Sequence, residues 1–564
     1  VFEFFLDAAL FDSYKKQTES KGGIVKQGWW SFLAKVGLGC ICCVLLVSGR
    51  GDAQALPGRV LKFAVHTSSL GSLDPHMVRG SEDYTYVDMV FNSLIRYVPG
   101  DLARLEPDIA DSIPTFVLRN GRQVWTVHLK KGILFHPGPA TPAYALTADD
   151  VIFSLEKMAD PDFSSASGEY AGMTFEKLDD HTLEIILDKP VSPLFFLPKI
   201  ANHRGGAIVS RKAFQAGGYE GFMAHPVGTG PFMFQWYEPN QVCVFKAHER
   251  YFRGTPKLAG VEMHFIPDNV AREAAFRNGD MDLVLGVGEP GWIERMEQVP
   301  KSVVDVFGPG YTGLFHFNAS IKPFNDIRVR TAISLALDRN DFMAASSRKL
   351  VSPVMAPMSA AFLPGGMSNE KIIILGLNFE KNIEKARKLM ADAGLANGFD
   401  MTLYGSEKRL FQTSYEILQR SLKEIGIRVN LKIVPHTEYH QIIRKNLNPI
   451  VLYFTLRPNA DIYLRGYFHS DAIVMSGRSP YTNFSHCTSV DDLLDTALTE
   501  MDPKKQIRLW EQAQIKILHD VWVYPLLDIK YCVARKSDLD YGHDLFNTLA
   551  GYPQFDERTA FVSH

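Results

Sequence analysis

Hydrophobic and polar positions alternate in the first half of the chain and shift towards a helical spacing in the second. Leu61, Phe63 and Val65 alternate along the chain, as a half-buried strand requires. Asn120-Gly121 separates Phe116-Val117-Leu118 from Val124-Trp125-Thr126-Val127-His128-Leu129. Both turn positions tolerate positive φ, so this stretch predicts a hairpin. Leu183, Ile185 and Leu187 predict another strand after the polar Asp179-Asp180-His181. Between these strands, Thr147-Ala148-Asp149-Asp150 puts a hydroxyl at an N-cap and a carboxylate three residues on. Val151, Ile152, Leu155 and Met158 then share one helical face.

Further along, the spacing predicts a helix capped by Asn325 with Val329, Ile333 and Ala336 on one face. A second helix runs near 382–393, with Ala386, Leu389 and Ala393 in register and Gly394 as its stop. A third covers about 413–424 and ends at Gly426. Phe399, Met401 and Leu403 precede it, and Ile427, Val429, Leu431 and Ile433 alternate after it. Strand–helix–strand order at this spacing implies an α/β lobe. No internal repeat, low-complexity tract or flexible linker interrupts the chain, so its parts should be tightly connected.

Composition refines this picture without redirecting it. With 564 residues, 46% of them hydrophobic, the chain can bury a core large enough for two or three domains. A net charge of -3 gives no reason to expect nucleic acid or an anionic membrane as partner. Cys243, Cys487 and Cys532 are too few and too scattered for a disulfide framework or a thiolate zinc site. The other three cysteines fall in the apolar run Val36–Val47, which follows Lys26 and Lys35 and precedes Ala53-Gln54-Ala55. A basic region, a short apolar core and a small-x-small site are the parts of a secretory signal, with Ala55 at the cleavage point. A lipid anchor through Gly39-Cys40 fits less well, because that cysteine opens the apolar run instead of ending it. Residues 1–55 are therefore set aside from the fold, and the remainder is expected outside the cytoplasm, in a periplasmic or other extracytoplasmic space.

A set of short motifs then recurs in order. Near the start is Ser72-Leu73-Asp74-Pro75-His76, followed by Glu106-Pro107-Asp108-Ile109-Ala110-Asp111-Ser112. Trp125–Gly132 with Phe135-His136 comes next, then Leu146–Ser154 and Pro226-Val227-Gly228-Thr229-Gly230-Pro231-Phe232. Phe317-Asn318, Pro323-Phe324, Val329-Arg330-Thr331-Ala332-Ile333 and Ala336-Leu337-Asp338-Arg339 complete the series. In number and order they resemble the family 5 solute-binding proteins that serve dipeptide, oligopeptide and nickel ABC importers.

The resemblance implies an α/β, two-lobe periplasmic-binding-protein fold of type II, in the large cluster with an extra subdomain in the first lobe. It implies lobe I over 56–308, lobe II over 309–525 and a return to lobe I over 526–564. A small solute, peptide or peptide-like, would close the cleft between the lobes. A monomer would then deliver it to the permease subunits of an ABC importer, without a cofactor. Most of the quoted motifs are read as structural: Gly228, Gly230 and Pro231 as a turn, and Thr147–Ser154 as a capped surface helix.

Peptide binders of this family grip the ligand termini with charge, an acid for the amine and an arginine for the carboxylate. Arg409 falls in the region of that arginine. The loop where the amine-binding acid is expected reads Phe454-Thr455-Leu456-Arg457-Pro458-Asn459-Ala460-Asp461. Leu456 or Arg457 stands at that position, and a cation there favours an acidic or neutral ligand group. Asn459 is a further candidate contact. Asp461 is either a displaced amine partner or, the favoured reading, the N-cap of 462–468. Tyr311, Trp236 and Tyr237 are candidate cleft aromatics with core packing as the competing reading.

Other readings have less behind them. His436-Thr437-Glu438-Tyr439-His440 spaces two histidines at i and i+4, the remote basis for a metal-dependent hydrolase. The acid is misplaced for a zinc peptidase, and a turn is expected after the preceding strand, so two exposed histidines and no metal are expected. Ser154-Leu155-Glu156-Lys157 and Ser346-Ser347-Arg348-Lys349 match S-x-x-K without its partner motifs. A nickel complex, haem or oligosaccharide is the alternative cargo; a metallo-ligand would need His76, His128 and His136 to converge. The chain is not expected to be an enzyme.

Overall fold

The structure is a computed structural model. It describes residues 58–563 except 79, 165–166, 202–205, 290, 345, 361–363, 456–458 and 549. The proposed export segment and Arg457 lie outside the described residues.

Strand β1 (Val60–Val65) enters the centre of a large mixed sheet. A hairpin of β2 (Ile95–Val98) and β3 (Asp101–Pro107) follows. Strands β4 (Thr115–Arg119), β5 (Arg122–His128), β6 (Met173–Asp179) and β7 (Thr182–Leu187) then form a separate antiparallel sheet, ordered β4-β5-β7-β6. The turn between β4 and β5 is Asn120-Gly121, at φ 54° and 78°, as the dipeptide predicts. The chain returns to the large sheet with β8 (Phe232–Glu238), β9 (Val242–Ala247), β10 (Gly260–Phe265) and β11 (Leu283–Leu285). It continues with β12 (Ser302–Phe317) and β13 (Val351–Pro353). A parallel pair, β14 (Asp400–Ser406) and β15 (Arg428–Val434), precedes β16 (Ile450–Thr455) and β17 (Val523–Lys536). The large sheet runs β16-β12-β17-β11-β1-β10-β9-β8, with β13 also paired to β17.

Apolar side chains gather into separate cores. Phe63, Phe232, Phe245 and Met263 anchor the first lobe. Trp125, Phe135, Leu146, Leu183 and Phe196 fill the extra subdomain under its own sheet. Ile333, Leu403, Leu418, Tyr439 and Leu452 anchor the second lobe. Strands β12 and β17 feed both lobes. Phe307 and Val533 join the first core, whereas Phe315, Tyr524 and Leu527 join the last. Their antiparallel register shifts between Phe307 and Tyr311, where one core gives way to the other. The result is a two-lobe α/β fold of the type II kind.

The motifs resolve into packing devices. A Cβ on Gly228 would stand 2.0 Å from the Val90 carbonyl oxygen, and one on Gly230 would stand 2.4 Å from that of Met89. Only glycine permits that approach, and the Gly230 N–H uses it to donate to Val90 O at 2.9 Å. Asp74 and Lys157 form a buried ion pair at 2.6 Å, with His76 Nδ1 3.3 Å from the same ammonium. This pair ties the Leu73-Asp74-Pro75-His76 motif to the helix Ala148–Ala159. At the start of that helix the Asp150 carboxylate accepts from the Thr147 N–H at 3.1 Å, the expected reciprocal cap.

Four local expectations change. The helix Ile327–Ala336 is capped by Asp326, whose carboxylate accepts from the Arg328 N–H at 2.9 Å, and not by Asn325. The third helix starts earlier, at Arg409, and runs to Lys423. Asn459, not Asp461, caps the helix Ala460–Phe468 by accepting from the Ile462 N–H at 2.9 Å. His436–Arg444 is helical where a turn is expected, because Tyr439, Ile442 and Ile443 supply a buried stripe.

Candidate ligand cleft

Where β12 and β17 pass between the lobes, a cavity of about 140 Å³ opens beside Ile529. Gly288, after β11, lines its first-lobe side. Ser346, Ser347 and Leu350 line it before β13, and Arg409, Leu410 and Thr413 line it from the first turn of the helix Arg409–Lys423. Arg409 is exposed, and no hydrogen bond or ion pair within the described residues engages its guanidinium. It also sits at the positive end of a helix of 15 residues. An anionic group in this cavity would meet a free, planar five-donor cation and unsatisfied helix N–H groups together.

The strands that carry Ile529 are closely packed around it. Tyr311 pairs with Ile529 across β12 and β17, and its exposed ring lies 6.3 Å from that of Tyr531. The Phe454 ring covers Gly313, where a Cβ would stand 2.3 Å from it. Phe411 packs on Phe454 at 5.2 Å, which fixes the start of the Arg409 helix against β16. Beneath this wall lies Asp528, a residue that no sequence motif flagged. Thr312 Oγ1 donates to its carboxylate at 2.6 Å, and Ser359 is a second partner. Burial pushes its pKa up to about 7. The available signal was an acid inside the apolar run Tyr524–Ile529.

The candidate residues separate. Arg409 lines the cavity, whereas Tyr311 does not line it and is only the strand partner of Ile529, which does. Asn459 lines a different one of about 140 Å³, among Leu102, Leu105, Leu194, Pro364 and Trp510, where the subdomain meets the second lobe. The Ser192 hydroxyl donates to Gln506 Oε1 at 2.6 Å within that contact. Asp461 is buried in the first turn of its helix; burial raises its pKa to about 6, and its Oδ1 has no hydrogen-bond partner among the described residues. It lines neither cavity. Trp236 sits on β8, six strands from β12, roughly 30 Å away at ordinary strand spacing. Tyr237, beside it, donates nothing to the cleft; its hydroxyl accepts from the Leu70 N–H at 3.0 Å.

The three histidines weighed for a metallo-ligand do not converge. His76 bonds to the Ala207 carbonyl, His136 to the Gly230 carbonyl, and His128 lies beside Thr182. The S-x-x-K serine and lysine are likewise occupied: Ser154 donates to Asp150 O, Lys157 pairs with Asp74, and Lys349 pairs with Glu297. Cys243, Cys487 and Cys532 are buried free thiols whose burial raises their pKa values.

The model of bacterial extracellular solute-binding proteins, family 5, matches residues 104–474, well over half of the chain. The chain belongs to this family. Its relatives include the haem-binding protein A of Haemophilus influenzae, 24% identical over 84% of this chain and 87% of that one. The dipeptide-binding protein of Escherichia coli is 24% identical over 76% of this chain and 82% of that one. Among solved structures, the binding protein MoaA from A. tumefaciens R10, in complex with mannopinic acid, superposes with a TM-score of 0.67. It shares 33% identity, covering 90% of this chain and all of that one. The motif series and the two-lobe topology are thus those of a family 5 solute-binding protein, a family of capture proteins and not of enzymes.

Proposed function

We propose that this family 5 protein captures a small, carboxylate-bearing solute, peptide-like in size, and hands it to the permease of an ABC importer. The observation that carries the cargo class is Arg409: a guanidinium at a helix N-terminus, without a partner among the described residues, lining the cavity beside the strands shared by the lobes. A charge-assisted, two-pronged bond to a carboxylate is what such an arginine supplies. The relatives are named for haem and dipeptide, and the similar solved structure holds mannopinic acid. The peptide reading is narrowed by Asp461, because a buried acid that lines neither cavity is poorly placed to hold an ammonium.

In this reading the lobes divide at 308/309 and 525/526 and close over the solute as a monomer. Export places the protein outside the cytoplasm after cleavage at Ala55. N-terminal sequencing of the exported protein checks that point; a start other than residue 56 overturns it. The cargo class is tested by thermal shift with dipeptides, tripeptides, mannopinic acid, haem, nickel–histidine and neutral oligosaccharides. Saturating ligand at a hundred times Kd stabilises by about 2.7 kcal/mol. Shifts with carboxylate-bearing solutes support the proposal. A shift confined to neutral oligosaccharides sinks it.

A further inference from the structure

The helix His436–Arg444 carries two histidines one turn apart. Residues at i and i+4 share a helical face. Tyr439, Ile442 and Ile443 are buried on the adjoining face and fix how the helix sits against the lobe. The two rings are nearly perpendicular, at 87°, with centroids 4.5 Å apart. Their Nε2 atoms stand 3.2 Å from one another. His436 is further fixed from behind: its Nδ1 lies 2.8 Å from Ser406 Oγ at the end of β14, and its ring packs on Phe411 at 5.3 Å. His440 rests against Tyr453 at 5.8 Å.

This is the arrangement of two cis ligands. At the usual ion–imidazole length of about 2.0–2.1 Å, nitrogens that far apart subtend about 100° at a shared ion, close to tetrahedral. The Ser406 contact on the far nitrogen is the kind of outer bond that orients a ligating imidazole. Each Nε2 has only the other Nε2 as its hydrogen-bond partner within the described residues. Neither histidine is held in an ion pair with a carboxylate there; Glu407 instead accepts from the His436 backbone N–H at 3.2 Å.

We propose that His436 and His440 form a bis-imidazole site for a borderline divalent transition ion such as Cu²⁺, Ni²⁺ or Zn²⁺. Among the described residues no third histidine, cysteine or carboxylate completes the ligand set, so the remaining positions go to water or a small chelating molecule. Imidazole donors suit these ions, and the ordinary affinity order puts Cu²⁺ first. Burial lowers the pKa of both rings, and His436, Arg444 and Lys408 lower that of His440 further, to about 4. The nearby Lys408 and Arg444 weaken the site for a dication relative to an isolated pair. The inference is independent of the cargo reading.

The test is calorimetric titration of the chelator-treated, untagged chain with Cu²⁺ and Ni²⁺ salts, with electron paramagnetic resonance of the Cu²⁺ form. The wild type takes up one more equivalent than the His436→Ala/His440→Ala double variant, and its spectrum shows two nitrogen ligands. Each single variant weakens that equivalent by about a hundredfold, because the chelate is lost. Ser406→Ala, which leaves both ligands in place, weakens it about tenfold or more through the loosened ring. Circular dichroism confirms that the variants are folded. Equal uptake by wild type and double variant, or a Cu²⁺ spectrum that the double variant leaves unchanged, overturns the proposal.

Discussion

Asp528 offers the sharpest energetic consequence of the fold. It lies on β17, paired in register with Thr312 of β12, where the two long strands pass from one lobe to the other. Burial raises its pKa from 3.8 to about 7, whereas the unfolded chain restores the ordinary value. The folded protein therefore holds a proton that the unfolded chain releases. The protonated form's contribution is fully present below pH 4 and is lost as the pH rises through 7. Three pKa units correspond to about 4 kcal/mol in full, and between pH 5 and pH 8 the loss amounts to about 2–3 kcal/mol. Asp528→Asn removes the ionisation but keeps an oxygen for the Thr312 hydroxyl. At about 2.1 cal/mol/K per residue, 1 kcal/mol moves the midpoint of a chain this long by only about 1 °C. Calorimetric melts of both proteins at pH 5 and pH 8 should show wild type losing about 2–3 °C more than the variant. Parallel pH dependences, or a wild type that gains on the variant as the pH rises, refute the reasoning.

Three further outcomes follow from named contacts. Lys157→Met leaves the Asp74 carboxylate buried without its cation and should cost about 3–5 kcal/mol, read by chemical denaturation; a loss below 1 kcal/mol would show that the pair is solvated. Gly230→Ala drives a Cβ onto the Met89 and Val90 backbone and should lower the melting temperature at unchanged ligand selectivity, whereas a selectivity change would place the motif in the cleft. Asn382→Ala removes the acceptor for the Lys385 N–H at 2.9 Å and should cost about 1 kcal/mol in the second lobe, measured by hydrogen exchange across 383–392.

Much of the architecture was legible because its signals were local. Asn120-Gly121 specified a hairpin by itself, and Asn382 with Gly394 bounded a helix at both ends. Thr147 and Asp150 did the same at one end of another. Where two neighbouring residues can do the same job, sequence cannot choose: Asp326 caps in place of Asn325, and Asn459 in place of Asp461. The decision is made by backbone angles set elsewhere. The site was less legible for a related reason. Arg409 and Ile529 are distant in the chain and meet only after β17 returns beside β12. Trp236 and Tyr311 look alike as aromatics near polar turns, yet sheet order puts one on an edge strand and the other opposite Ile529, which lines the cavity. The His436–His440 spacing was visible from the start. What it lacked was the helix, which depends on how deeply Tyr439 and Ile443 are buried beneath it.

In the proposed function the solute is captured without conversion, through Arg409. Isothermal titration of the wild type and of Arg409→Ala, using a carboxylate-bearing solute identified by the thermal-shift panel, tests it most directly, with the solute recovered afterwards and analysed by mass spectrometry. One solute per chain, recovered unchanged, is expected. Removal of the guanidinium should cost about 10–100-fold in affinity, the worth of a charge-assisted bond. A chemically altered solute, or affinity for the carboxylate ligand that survives Arg409→Ala intact, would contradict the proposed function.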